Sequence, residues 1–253
     1  MTRAGRAFVD AMRYFSVVPL PGRAAGPPGS DALVALPAVG AAIGLFAGSA
    51  AWGVARVAPR PLGTAAAFVL PTVLSGAIHL DGFLDCCDAA FASVPPERRR
   101  EILKDPRHGT YAMAGYAIVA CLSWSALSAL RPVRFPFVLA FAGGLGRLAA
   151  VAGALWFPYP GTSPASSALA RRPSRSALGL QVLGVFALCA RAAPEFAPAV
   201  PAALVLGYGS ARFLSGRFGG LSGDAYGCTI VAVESALLVA ASVIRERRGP
   251  SGC

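Results

Sequence analysis

The chain has 253 residues, 55% of them hydrophobic and 14% charged, where ordinary soluble domains carry roughly 25% charge. That balance excludes a soluble globular protein. The net charge of +11 is read as loop charge orienting a membrane protein rather than as a nucleic-acid footprint. Six cysteines show neither CxxC spacing nor a paired framework, so they read as reduced thiols or small packing residues.

Residues 1–20 are interrupted by Arg3, Arg6, Asp10 and Arg13, so the apolar core of a cleavable signal does not form. Ala7, Phe8, Ala11, Met12, Phe15 and Val18 recur at near-helical spacing. They predict an amphipathic helix on the membrane surface, ended by Pro19 and Pro21. Charge-poor runs then predict seven transmembrane helices at 32–55, 61–80, 110–130, 135–157, 176–193, 197–214 and 225–244. The fifth is short and the sixth is bounded by Pro194, Pro198 and Pro201, so six spans is the alternative. Linkers are expected at 21–30, 58–61, 131–134, 158–175 and 215–223. The fold class is thus all-α, a polytopic helical membrane protein forming one domain over 1–253.

Basic residues favour a cytoplasmic N-terminus, although the tail beginning at Arg245 counts against it. Four spans separate the loop at 81–109 from that at 215–224, so both fall on one face of the membrane, expected to be the cytoplasmic face.

Three segments concentrate the chemistry. The chain holds 12 acidic residues, and half of them fall between Asp81 and Asp105. In His79-Leu-Asp-Gly-Phe-Leu-Asp-Cys-Cys-Asp88, a helix places Asp81, Asp85 and Asp88 within an arc of about 60°. A cap explains one aspartate, not a stripe of them. Clustered carboxylates repel unless a cation neutralises them, and oxygen donors point to a hard ion such as Mg2+ despite the intervening Cys86 and Cys87. Gly82 allows close approach of a substrate or a neighbouring backbone. His79 fits a catalytic role and a satisfied boundary histidine equally.

The second segment runs from Glu101 to Tyr111. There Lys104, Asp105 and Arg107 sit in a Pro/Gly-bounded turn suited to phosphate and metal, ending at Gly109. The Arg98-Arg99-Arg100 run before it reads as a solvated or headgroup-facing surface. The third segment is Gly219-Gly-Leu-Ser-Gly223-Asp224-Ala-Tyr-Gly227, whose glycines can aim N–H groups at phosphate, with Arg217 just ahead of it. Glu234 lies about 15 Å deeper on the last span, and Arg147 lies near the middle of the fourth. Charges at such depth need partners, and each is the other's candidate, either as a structural pair or as part of a phosphate site.

These blocks, in this order, resemble the adenosylcobinamide-GDP ribazoletransferase family, also called cobalamin-5'-phosphate synthase. The resemblance is carried by Phe15-Ser-Val-Val-Pro19-Leu-Pro21, His79-Leu-Asp-Gly-x-x-Asp-x-x-Asp88, Glu101-Ile-Leu-Lys-Asp105-Pro-Arg-x-Gly109, and Gly220-x-Ser-Gly-Asp224-x-x-Gly227 with Glu234. Cys86-Cys87 and Tyr111-Ala112 depart from the family's usual residues. The resemblance implies a Mg2+-dependent transferase of the cytoplasmic membrane. It would join adenosylcobinamide-GDP to α-ribazole or its 5'-phosphate, giving adenosylcobalamin or its 5'-phosphate and GMP.

On that reading Asp81, Asp85, Asp88, Asp105 and Asp224 are metal ligands. Asp88 or His79 takes the hydroxyl proton. Lys104, Arg107, Arg147, Arg217, Gly82, Gly109 and Gly223 serve the phosphates, and Glu101 and Glu234 support them. Rival readings are a CDP-alcohol phosphotransferase, whose Asp-Gly-x-x-Ala-Arg continuation is missing here, a polyprenyl transferase, and a divalent-cation transporter. No nucleic-acid partner is expected.

Overall fold

The computed structural model describes residues 2–21, 29–160 and 172–246. Most of the linkers expected at 21–30 and 158–175 lies outside them, as does the end of the basic tail beginning at Arg245. Among the described residues the chain is helical, without a strand.

Helix α1 (Arg3–Phe15) opens on Thr2, whose hydroxyl accepts from the Gly5 amide at 3.2 Å, and it buries Ala11 and Phe15. It stops before the expected prolines. The Ser16 hydroxyl bonds back to the Met12 carbonyl, and Val17 N–H pairs with Leu74 O at 2.9 Å, which draws the chain into the bundle. Helix α2 (Ser30–Val57) packs most extensively on α7 (Phe135–Gly153). The stripe Gly40, Gly44 and Gly48 makes this possible: a Cβ at each would run into the α7 backbone at Gly143, Leu139 and Phe135. Small residues at four-residue spacing let helix backbones approach closely where lipid supplies no hydrophobic drive.

The second expected span is not one straight helix. Helix α3 (Arg60–Leu74) and helix α4 (Ile78–Phe91) meet at 87° across a short break. Gly76 (φ 64°) and Ala77 (φ 58°) both occupy left-handed backbone there, which turns the chain sharply. The aspartate stripe therefore lies on a helix of its own rather than in a loop. A short helix α5 (Pro96–Ile102) follows, then α6 (Thr110–Ala129), α7, α8 (Arg175–Ala192), α9 (Ala199–Phe218) and α10 (Gly223–Glu246).

Five of these helices are long and apolar enough to cross a membrane (α2, α6, α7, α8 and α10), and the bent α3–α4 pair makes six if it counts as one span. The expected sixth, at 197–214, exists as α9 but is not among these five. The protein is a multi-pass membrane protein. Helix α7 is its centre, with 78% of its apolar window buried against 11% for α8. Helix α10 packs on α4, α6 and α7, and it brings the third motif to the first.

Candidate active site

Asp81 lies in the first turn of α4, where the exposed amides at the helix N-terminus favour a carboxylate. Asp85 follows one turn later. The α5 connection returns to this face and places His108 between them, Nε2 3.9 Å from Asp81 and Nδ1 3.6 Å from Asp85. Ligand atoms of the three residues all lie within 4.8 Å of one another. The Asp81 side chain is 67% exposed and that of Asp85 16%, so the cluster is open on one side and anchored on the other. Asp224, in the first turn of α10, adds its charge to that of Asp81 and Asp88 around Asp85.

Gly82 sets the spacing between the two helices. A Cβ at this position would lie 2.7 Å from the Asp224 Cα and 2.9 Å from its carbonyl oxygen. The approach expected of Gly82 is that of a neighbouring backbone. Gly227 does the same one turn on, against the backbone of His79. Ser222 holds the start of α10: its hydroxyl accepts from the Ala225 amide and donates to Asp224 Oδ2, both at 3.3 Å. Tyr159, on the segment after α7, takes a backbone hydrogen bond from Gly223. Burial first, then the Asp224 charge, pushes its phenol up.

Other residues named from sequence stand elsewhere. Asp88 is buried, and its two oxygens accept from the backbone N–H groups of Gly109 and Ala112, the latter at 2.9 Å. It caps α6 from across the fold. Gly109 is required by that contact, because a Cβ there would press on the Asp88 carboxylate at 3.0 Å.

Asp105 is taken by Arg107. Oδ1 accepts from the Arg107 amide (3.1 Å) and Nε (2.9 Å), and Oδ2 from Nη2 (2.8 Å). These bonds hold the Asp105 carboxyl at about 2, well below the usual carboxylate range, and raise Arg107. The pair braces the turn and does not join the cluster. Lys104 is exposed beside it, and Glu101 pairs with Arg98. Arg100 departs from the solvated face expected for its run, since its Nε donates to the Phe218 carbonyl at 3.2 Å and ties α5 to the end of α9. Arg217 lies over the Phe213 ring at 5.3 Å, and Gly223 meets nothing within 4 Å of a Cβ.

His79 points into the bundle. It is buried, stacks on Phe15 at 6.2 Å between ring centroids, and stands with Arg147 and Glu234 rather than with the aspartates. Arg147 Nη1 donates to Glu234 Oε1 at 2.6 Å and to the Gly143 carbonyl at 3.0 Å. Each deep charge thus has the other as its partner.

Fold and cluster together define a polytopic membrane protein with two aspartates and a histidine clustered where helix ends converge. The model of the cobalamin-5-phosphate synthase family (CobS) matches residues 7–242, and the chain belongs to that family. It is an enzyme, a transferase of cobalamin biosynthesis. A protein of Stutzerimonas stutzeri named adenosylcobinamide-GDP ribazoletransferase is 35% identical over 206 residues, 78% of this chain and 82% of the relative. Proteins of the same name from Ralstonia pickettii and Novosphingobium aromaticivorans are 30% and 31% identical. They cover 88% and 94% of this chain, and 89% and 96% of their own lengths. No solved structure matches the chain.

Proposed function

We propose that the chain transfers the phosphoryl-corrinoid group of adenosylcobinamide-GDP to α-ribazole or its 5'-phosphate, releasing GMP, at the Asp81–Asp85–His108 cluster. The observation that carries this reading is the convergence of Asp81, Asp85 and His108, with Asp224 held beside them by the Gly82 contact. The relatives' shared name supplies the substrates.

The donor set fits a divalent ion. Asp81 and Asp85 offer hard oxygens within 4.8 Å of one another, with the charges of Asp224 and Asp88 beside them. Asp81, Asp85 and Asp224 would hold Mg2+. Bound there, it would neutralise the diphosphate and make its phosphorus more electrophilic.

The chain's own residues do the rest. Lys104 and Arg217 would offset phosphate charge. The acceptor's ribose 3'-hydroxyl forms the new P–O bond as the bond to the GMP oxygen breaks in line, so GMP leaves with that oxygen's electron pair. His108 takes the hydroxyl proton. It is the base that the cluster itself supplies, whereas Asp88 is occupied as a helix cap and His79 faces the bundle. The bias of basic residues toward the N-terminal side supports placing this chemistry at the cytoplasmic face of the inner membrane.

The test uses purified protein in nanodiscs with adenosylcobinamide-GDP, α-ribazole and Mg2+, following GMP by chromatography. GMP release that needs both acceptor and Mg2+ supports the reading, and its absence from a folded preparation refutes it.

A further inference from the structure

A half-open cavity of about 230 Å3 lies among α2, α3, α4, α6, α7 and α10. Its walls are mainly apolar, yet His79, Arg147 and Glu234 also line it. Arg147 and His79 are buried, and neither the Arg147 Nε nor the His79 Nε2 meets a hydrogen-bond partner among the described residues. Glu234 keeps 26% of its side chain accessible although it sits midway along α10, and its bond to Arg147 uses Oε1, leaving Oε2 for another group. Val69, Val73 and Tyr116, which also line the cavity, are exposed on the outer faces of α3 and α6. The opening therefore faces the apolar surface that the bilayer covers.

These features restrict the occupant. The volume lies below the roughly 300–1,000 Å3 of pockets that take drug-sized ligands, so a ring-sized group fits and a whole nucleotide does not. Arg147 and Glu234 neutralise each other, so an anionic headgroup would bring an uncompensated charge to this depth. An acyl chain would leave the polar atoms unpaired. A hydroxyl on an apolar ring meets both requirements, because its O–H can donate to Glu234 Oε2 while the ring packs on the apolar wall. His79 and the aspartates project from different sides of α4, two residues apart at 100° each, so this space is separate from the carboxylate cluster.

We propose that this cavity is a binding site for a neutral, hydroxyl-bearing ring compound that reaches it sideways from the bilayer. The proposal is independent of the transferase reading, because binding is measured without donor, acceptor or metal.

The probe is 2-naphthol, titrated by its own fluorescence against the full chain in nanodiscs of phosphatidylethanolamine and phosphatidylglycerol, with empty nanodiscs subtracting partition into lipid. Saturable binding at one site per chain is expected, at least tenfold tighter than for 2-methylnaphthalene used as competitor. Ala120→Phe, which fills the cavity from α6, should abolish binding while helical circular dichroism and gel-filtration elution stay unchanged. Replacing the pair together (Arg147→Met with Glu234→Met) keeps the space, and the preference for the hydroxyl compound should collapse to about one. No saturable binding to the unmodified chain would mean that the cavity holds water only, and it overturns the proposal. So does binding by Ala120→Phe equal to that of the unmodified chain.

Discussion

Replacing Gly82 by alanine tests whether the active site depends on the distance between α4 and α10. The new methyl would start 2.7 Å from the Asp224 Cα and 2.9 Å from its carbonyl oxygen, both backbone atoms that cannot rotate away. Reaching an ordinary contact of 3.4 Å requires the two helices to separate by about 0.7 Å. That strain costs about 1–3 kcal/mol of stability. The functional cost is larger. Ligand distances at a metal site tolerate about 0.2 Å, and a misplacement of about 1 Å in a reacting constellation costs on the order of a hundredfold in rate. Gly82→Ala should therefore remain folded in nanodiscs yet release GMP about a hundredfold more slowly than the unmodified chain. Gly184→Ala, where a Cβ meets nothing within 4 Å, should leave the rate unchanged. A Gly82→Ala protein with full activity and an unaltered Mg2+ requirement refutes the claim that Asp224 belongs to the site.

Three further substitutions separate roles that the sequence motifs merge. His108→Ala should lower kcat by about 10²-fold or more with little change in KM, and added imidazole should restore part of it; full activity without imidazole removes His108 from the chemistry. Asp88→Ala leaves two backbone N–H groups at the start of α6, those of Gly109 and Ala112, without their acceptor. It should cost about 1–3 kcal/mol in a detergent unfolding titration while the Mg2+ concentration for half-activity stays put; a shifted Mg2+ requirement at unchanged stability makes Asp88 a ligand after all. Arg147→Ala strands Glu234 and should cost about 3–5 kcal/mol, most of it recovered when Glu234→Met and Arg147→Met are combined; an Arg147→Ala protein as stable as the parent contradicts the structural role of the pair.

The helical class, the N-terminal amphipathic helix and the meeting of the first and third motifs were legible in the chain, because each rests on local period or on counting charge-free runs. Asp81 and Asp85 followed from helical spacing alone. Asp88 shares their stripe by the same arithmetic, but whether it stays open or is taken by the amides of α6 depends on a contact 21 and 24 residues away. His108 carries no local signal at all. It reaches the aspartates only because α5 folds back, and α5 is held there by Arg100 on the Phe218 carbonyl, a bond across 118 residues. The break between α3 and α4 had a weak signal in Ser75-Gly76. An apolar run at 61–80 hides it, since Ala77 adopts left-handed backbone without being glycine or asparagine. Arg147 and Glu234 were legible as partners because the chain has few acids to choose from.

The central claim is that Asp81, Asp85 and Asp224 hold one divalent cation against the donor diphosphate. The direct measurement is anomalous X-ray scattering from crystals soaked in Mn2+. The account predicts a Mn2+ peak between α4 and α10, with carboxylate oxygens of Asp81 and Asp85 at about 2.0–2.2 Å. A peak at the Asp105–Arg107 turn instead, or none at the cluster in crystals of active protein, contradicts it.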